Sequence, residues 1–143
     1  MKSIHIKKND LDKTLAEPKT AGKKLLEPLK SMSKAAGFAF NILEDDEKLS
    51  DAEIHNREAD FWCCLEGRAT FLLGGELVNQ QYRKNADGSD NKDEVYAATM
   101  KEEQQVVLEE GDWLLIPKGE AHQHQGSSKD GFARLLIIKV PQQ

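Results

Sequence analysis

Histidine and carboxylate side chains suited to metal or acid–base chemistry gather in two short stretches of this sequence. Glu53 and His55 are two residues apart, so in an extended backbone their side chains project from the same face. His122 and His124 share a face for the same reason. Asp60 follows His55 at an odd separation, so both can face one point only if the chain bends or bulges between them. Together these side chains offer the nitrogen and oxygen donors that suit a divalent first-row metal ion.

Each of these residues also has a simpler interpretation when it is taken alone. A single histidine in a strand is more often a hydrogen-bonded structural residue than a metal ligand, and Glu53 and Asp60 can be ordinary solvated carboxylates. His124 is open to three interpretations: a hydrogen-bonding neighbour of a ligand, an acid–base group, or a plain polar residue of a pocket. Residue type and phase therefore indicate a metal site without establishing one.

The elements that must position these side chains are mostly strands. Before Gly37 the pattern favours a short strand at Ser3–Lys7 and a weak helix over Ala21–Lys30, which Pro28 interrupts. From Gly37 onward, short apolar or alternating runs with frequent turn signals are typical of an all-β protein. The predicted strands are 38–43, 60–66, 69–73, 94–100, 105–108, 113–116 and 133–140.

Glycines and one polar stretch punctuate this series. Gly67 is expected to close the strand before it, and Gly74-Gly75 predicts a hairpin turn. Residues 79–93 are polar and lack periodicity, which predicts a loop acting either as a lid or as a surface insertion. The last run, residues 133–140, is almost entirely apolar and indicates a strand buried on both faces.

The spacing around the candidate residues matches two motifs. From Gly111 to His122 the sequence GDWLLIPKGEAH fits G-x5-P-x-G-x2-H, the second motif of the cupin superfamily. The first cupin motif, G-x5-H-x-H-x3–4-E-x6-G, is matched in altered form by Glu53-x-His55-x4-Asp60-x6-Gly67. The chain therefore resembles a small single-domain member of the RmlC-like cupin superfamily, in a subgroup with an altered first motif. The likeness covers roughly residues 38–140.

This resemblance implies a fold and a ligand set. The fold is an all-β double-stranded β-helix, the conical cupin jelly-roll barrel, with a short N-terminal strand and helix extension. Residues 1–36 would pack on or cover the barrel formed by residues 37–143. Carried over by position, the metal ligands are Glu53, His55, Asp60 and His122. Glu53 in place of a histidine favours Fe(II) or Mn(II) among the candidate first-row ions Fe, Mn, Zn and Ni.

Two functions follow from the resemblance. The first is a metal-dependent enzyme of isomerase, lyase or dioxygenase type, with the metal as Lewis acid and a small polar organic acid or sugar-like substrate. In it His124 or Glu58 is the candidate proton-transfer group, and Trp62 and His124 are the candidate substrate-pocket residues. The alternative is a non-catalytic module that binds or senses a small ligand and works with a separate partner.

Composition excludes several other classes. The 143 residues suit one domain, and 25 acidic residues against 20 basic ones give a net charge of −5. The first 30 residues hold eight lysines interrupted by four acids, and the remainder is acidic, which disfavours nucleic acid as a partner. No apolar run suggests a membrane span or a secretory signal, so we expect a cytoplasmic protein. A homodimer is expected, with Ser3–Lys7 as the strand that covers a sheet edge.

Overall fold

Strands dominate the computed structural model, which describes residues 3–20, 22–127 and 131–142. The two helices are α1 (Lys8–Ala16) and α2 (Leu29–Ala36). The strands are β1 (Lys24–Leu25), β2 (Phe40–Asp46), β3 (Ala52–His55), β4 (Glu58–Leu73), β5 (Glu76–Val78), β6 (Gln81–Lys84), β7 (Asp90–Ala97), β8 (Thr99–Lys101), β9 (Gln104–Glu109), β10 (Trp113–Ile116), β11 (His122–Gly126) and β12 (Phe132–Pro141).

Almost all the strands join one curled antiparallel sheet. Its order is β1-β2-β12-β4-β11-β3-β7-β6, with β9 and β10 on the other edge of β4, while β5 pairs with β8 separately. The interior between the curled halves is apolar and includes Trp62, Phe71, Ile116 and Leu135. The predicted all-β class is therefore confirmed. Neither helix in the described part of the chain is long and apolar enough to cross a membrane.

Strand β4 differs from its prediction as two separate strands. It runs unbroken through Gly67, whose φ of 75° lies in the left-handed region, and the pairing with β12 shifts register between Arg134 and Leu135. A bulge of this kind bends a strand without ending it. The first part of β4 consequently pairs with β10 and β12, and the second part with β9 and β11. Gly74 and Gly75, both with positive φ, make the predicted turn after it.

Residues 79–93 are not the loop that the sequence predicts. They contain β6 and the start of β7, joined by a turn in which Asp87 accepts hydrogen bonds from the backbone and hydroxyl of Ser89. The hairpin lies at the end of the main sheet and is mostly exposed, so its sequence carries no burial pattern. The polar composition therefore concealed the edge strand β6 and the start of β7.

The N-terminal prediction is also corrected. Residues Ser3–Lys7 form no strand, and Lys7 instead precedes α1. The weak helix over Ala21–Lys30 is replaced by β1 and by α2, which begins directly after Pro28, a position where proline costs no helical hydrogen bond. The short strand of the extension is thus β1, which pairs with β2. The boundary at residue 36 stays a prediction.

Candidate metal centre

Four strands bring the candidate residues to one end of the barrel. Glu53 on β3 lies directly opposite His122 on β11. Residues 56 and 57 form a bend between β3 and β4, which resolves the odd separation of His55 and Asp60. Asp60 on β4 lies directly opposite Lys139 on the neighbouring strand β12. Side chains that are distant in sequence therefore converge because their strands are neighbours.

Glu53, His55 and His122 form the tightest group. One ligand atom from each lies within 4.8 Å of the others, and both imidazoles are buried. Nε2 of His55 is 3.7 Å from Oε2 of Glu53. Oδ2 of the buried Asp60 is 3.5 Å from Nε2 of both histidines. All four residues that the sequence predicts as ligands are thus brought together, with Asp60 beside the other three.

The hydrogen bonds of the two imidazoles fix which nitrogen faces the cluster as a lone pair. Nδ1 of His122 lies 3.2 Å from the carbonyl oxygen of Glu120, which can only accept, so Nδ1 carries the proton. Nε2 of His55 lies 2.9 Å from the Nζ of Lys139, which can only donate, so this Nε2 is an acceptor. Nε2 of His122 consequently carries a lone pair and lies beside the Asp60 carboxylate, whereas the lone pair of His55 Nε2 accepts from Lys139.

This arrangement fits a bound cation. Lone-pair atoms 3.5–3.7 Å apart with no proton between them do not hydrogen-bond to one another. Neighbouring ligands that share a first-row ion at about 2.1 Å are about 3–3.5 Å apart, close to the observed spacings. Two histidines and one carboxylate with open positions are also the ligand set of many Fe(II) sites. The donor set therefore fits one divalent ion.

The electrostatics keep this set in its ligating form. Burial lowers the pKa of His122 to about 4, against the opposing attraction of Asp60, so the imidazole is neutral at pH 7. For Glu53, burial acts to raise the pKa, but the hydrogen bond and charge of Arg83 and the nearby imidazoles outweigh it, and the net pKa is lowered. A neutral imidazole and an ionised carboxylate are the protonation states that metals require.

Lys139 is a member of the centre that sequence reasoning missed. Its Nζ is 2.8 Å from Oδ1 of Asp60 and 3.1 Å from Oε1 of Glu58, in addition to its contact with His55. The residue lies in the apolar run 133–140, where the sequence predicts burial on both faces. A lysine in such a run is itself a signal, because a buried lysine requires a charged or polar partner.

His124 and Trp62 lie beside the centre. Nδ1 of His124 is 2.8 Å from Oδ2 of the fully buried Asp45, which is also paired with Lys23. The rings of Trp62 and Phe71 contact the imidazole at centroid distances of 5.1 and 5.3 Å. Trp62 is 3% exposed and belongs to the core cluster behind His124. The roles assigned to His124, Glu58 and Trp62 stay predictions.

A pocket opens onto this end of the barrel. Its volume is about 500 Å³, and Glu53 and His124 form part of its wall. The β6–β7 hairpin contributes Arg83, and the N-terminal segment contributes Lys23. The pocket therefore meets the candidate metal centre at Glu53, and its lining also includes His124 and cationic side chains.

Comparison of this chain with solved structures supports the fold described above. No protein-family model matches the sequence, and no curated protein matches it significantly. Among solved structures, E. coli ycfD matches with a TM-score of 0.55 and 15% identity over 89% of this chain, and an oxalate oxidase with 0.52 and 14% over 84%. Protein NMB1881 from Neisseria meningitidis matches with 0.52 and 13% over 94%.

The matched lengths differ widely among these structures. The match takes up 35% of ycfD, 51% of the oxalate oxidase and 99% of NMB1881. The chain spans between 50% and 64% of several other matched structures. At this level of identity the likeness shows the fold alone, and the subgroup with an altered first motif stays a prediction. The chain has the cupin fold, a double-stranded β-helix of the jelly-roll type.

Proposed function

We propose that this protein is a metal-dependent cupin enzyme that acts on a small polar organic acid or sugar-like substrate. Glu53, His55 and His122 would hold one divalent first-row ion, with Fe(II) or Mn(II) favoured over Zn or Ni because of the carboxylate content. The observation that carries the proposal is the convergence of unprotonated imidazole nitrogens and carboxylate oxygens at 3.5–3.7 Å, where none of these atoms donates a hydrogen bond to another.

The ion would act as a Lewis acid on a substrate oxygen, chemistry that isomerases, lyases and dioxygenases all use. The residues of the chain would supply the remaining functions. Asp45 accepts a hydrogen bond from Nδ1 of His124 and so fixes the orientation of that ring in the pocket wall. His124 is then placed to exchange a proton with a bound substrate, and Glu58 is the second candidate for that role.

The pocket supports a small anionic or polyhydroxylated substrate. Three cationic side chains line it, those of Lys23, Lys48 and Arg83, together with three acidic ones, those of Asp46, Asp51 and Glu53. The cations can bind a carboxylate and the acids can accept hydrogen bonds from hydroxyl groups, so the lining suits a small polar acid or a sugar-like molecule. The oxalate oxidase neighbour is named for a small organic acid, in agreement with this class, although its likeness to this chain extends only to the fold.

Metal analysis tests the first part of the proposal. The protein is stripped with a chelator, reloaded anaerobically with Fe(II) or Mn(II), desalted and analysed for metal content. We expect about one ion per chain in wild type and a loss of most of it in His55→Ala and His122→Ala. His5→Ala is the matched control, because His5 is exposed. Equal metal content in wild type and the two site variants, with circular dichroism showing that all are folded, would overturn the proposal.

Turnover tests the second part. The metal-loaded protein is assayed against small 2-oxo, 2-hydroxy and enediol acids and against sugars, with oxygen uptake recorded in parallel. Oxygen consumption indicates a dioxygenase, and product formation without it indicates an isomerase or a lyase. Activity should disappear on chelation and return with metal. A metal-loaded protein that binds such acids without converting any of them would favour the ligand-binding alternative over the enzyme.

A further inference from the structure

Lys139 occupies one side of the candidate metal centre. Its ammonium group donates to Nε2 of His55 at 2.9 Å and to Oδ1 of Asp60 at 2.8 Å, and it is 3.1 Å from Oε1 of Glu58. The lysine side chain is 22% exposed and the Asp60 side chain 2%. The ammonium is therefore largely buried and held by three different groups.

One of these contacts competes directly with a metal. The imidazole nitrogen of His55 has a single lone pair, which lies in the plane of the ring. That lone pair can accept a hydrogen bond from Lys139 or bind a metal ion, but not both at once. Metal binding through this nitrogen consequently requires the ammonium to leave His55.

Charge makes the competition stronger. Glu53, Glu58 and Asp60 bring three carboxylates to the centre; Arg83 pairs with the first of them, and Lys139 contacts the other two and His55. In a site of low polarity, a fixed cation a few ångströms from a divalent ion raises the free energy of the bound ion. After leaving His55 the ammonium retains the carboxylates of Asp60 and Glu58, so it has a place to stay without leaving the site.

We propose that Lys139 is an internal counter-cation that offsets part of the negative charge of the metal-free centre and lowers its affinity for a divalent ion by holding Nε2 of His55. This inference rests on the metal-binding function proposed above. In this role Lys139 controls the affinity for the metal through its contacts with His55 and Asp60, and it is not itself a metal ligand. An ion must displace the ammonium from the imidazole in order to bind.

The test is the affinity of chelator-stripped protein for Mn(II), measured by titration calorimetry. Lys139→Met keeps the length and packing of the side chain and removes the charge, and Mn(II) is a hard ion with little affinity for a thioether. We expect Lys139→Met to bind Mn(II) about tenfold or more tightly than wild type, the equivalent of one lost charged hydrogen bond. Lys30→Met, on the exposed face of α2, controls for the change in net charge and should bind as wild type does.

A second comparison separates two of the three groups that Lys139 releases, His55 and Asp60. In Lys139→Met, Asp60 loses its ammonium partner and could add its own oxygen to the metal. The double variant Lys139→Met with Asp60→Asn, compared with Asp60→Asn alone, removes that contribution. A tighter affinity that persists in the double variant assigns the effect to Nε2 of His55, whereas a gain that vanishes there overturns the part of the proposal that concerns His55.

The outcomes also separate this inference from the proposed function. Binding of Mn(II) by Lys139→Met but not by wild type supports the role of Lys139 as a counter-cation. It overturns the proposal that the wild-type protein binds a metal ion. Equal or weaker binding by folded Lys139→Met, with wild type binding normally, overturns the counter-cation alone. Failure of both proteins to bind overturns both. Histidine-selective 15N NMR of the metal-free protein provides a check without metal: Nε2 of His55 should be an unprotonated acceptor in wild type and should shift in Lys139→Met.

Discussion

Strand β12 carries two cations, a buried arginine and a half-buried lysine, that differ in how they are held. The guanidinium of Arg134 is 1% exposed and donates to the carboxylates of Glu44 and Glu66. It also donates to the carbonyl oxygens of Leu15 and Glu17 at 2.6 and 2.7 Å. All of these acceptors belong to the barrel wall or to the N-terminal segment. The cluster around Arg134 therefore holds that segment against the barrel.

Lys139, five residues further along the same strand, has a different set of partners. One of its acceptors is a neutral imidazole, and its other two are carboxylates beside the candidate metal centre. An ammonium group is a point charge without the planar fork of arginine, so each of its contacts can be given up singly. The comparison indicates that Arg134 serves the stability of the fold, whereas Lys139 holds a place that a metal ion can take over.

The largest expected effect is on stability and comes from Arg134→Met. Removing the guanidinium leaves Glu44, which is fully buried, without its main counter-charge. Breaking a buried ion pair from one side costs about 3–5 kcal/mol. We expect the free energy of unfolding in urea, followed by tryptophan fluorescence, to fall by this amount.

Arg68→Met provides the control for this measurement. Arg68 pairs with Glu109 on the surface, where both side chains are more than half exposed, and such pairs contribute about 0–1 kcal/mol. A loss in Arg134→Met no larger than that in Arg68→Met would contradict the assignment of the Arg134 cluster to stability.

Acid should lower the stability of the folded protein because of His122, a buried member of the candidate metal centre. The pKa of this imidazole is about 4 in the folded protein and 6.5 in the unfolded chain, so the unfolded chain takes up the proton first as the pH falls. Stability is therefore complete above about pH 6.5 and is lost progressively toward pH 4. A shift of this size corresponds to about 3 kcal/mol. Urea titrations of chelator-treated protein across this range measure the slope.

His122→Gln should remove most of that slope, since glutamine does not titrate. His5→Ala should keep it, because His5 is exposed and remote from the buried cluster. The same dependence on pH in wild type and His122→Gln would show that another group governs acid sensitivity.

Lys139→Met should cost less stability than Arg134→Met. The Lys139 side chain is 22% exposed, against 1% for Arg134, so water already reaches part of the lysine and its removal disturbs a less buried ion pair. The loss of charged hydrogen bonds to Asp60 should lower the free energy of unfolding by about 2 kcal/mol in metal-free protein. Mn(II) should restore more stability to the variant than to wild type, since stabilisation by a ligand increases with its affinity. Equal stabilisation by Mn(II) would contradict the competition at His55.

The motif spacing was sufficient to predict that Glu53, His55, Asp60 and His122 lie close together, although it did not include Lys139. The phase of Glu53 and His55, the bend before Asp60 and the turn before His122 are all local features, and the structure has each of them. Gly74 likewise lies in the predicted turn. These predictions succeed because each depends on a few consecutive residues.

The partners of the two cations of β12 could not be predicted from the sequence in the same way. Arg134 and Lys139 lie in one apolar run, and their partners come from β2, β4 and the segment after α1. Burial of a charge depends on the charges of neighbouring strands, and those pairings are not local in sequence. The buried acids of β2, Glu44 and Asp45, were missed for the same reason.

Arg83→Gln is expected to have the smallest effect on stability and a measurable effect on the centre. The Arg83 side chain is 36% exposed and pairs with Glu53 and Asp51, so the free energy of unfolding should change by less than about 1 kcal/mol. Burial alone raises the pKa of Glu53, and the arginine is the main group opposing it, so its loss should raise that pKa. Protons then compete with the metal at a higher pH, and Mn(II) should be released at a higher pH than from wild type during stepwise acidification. Release at an unchanged pH would show that Glu53 does not hold the ion and would leave the two histidines and Asp60 as its ligands.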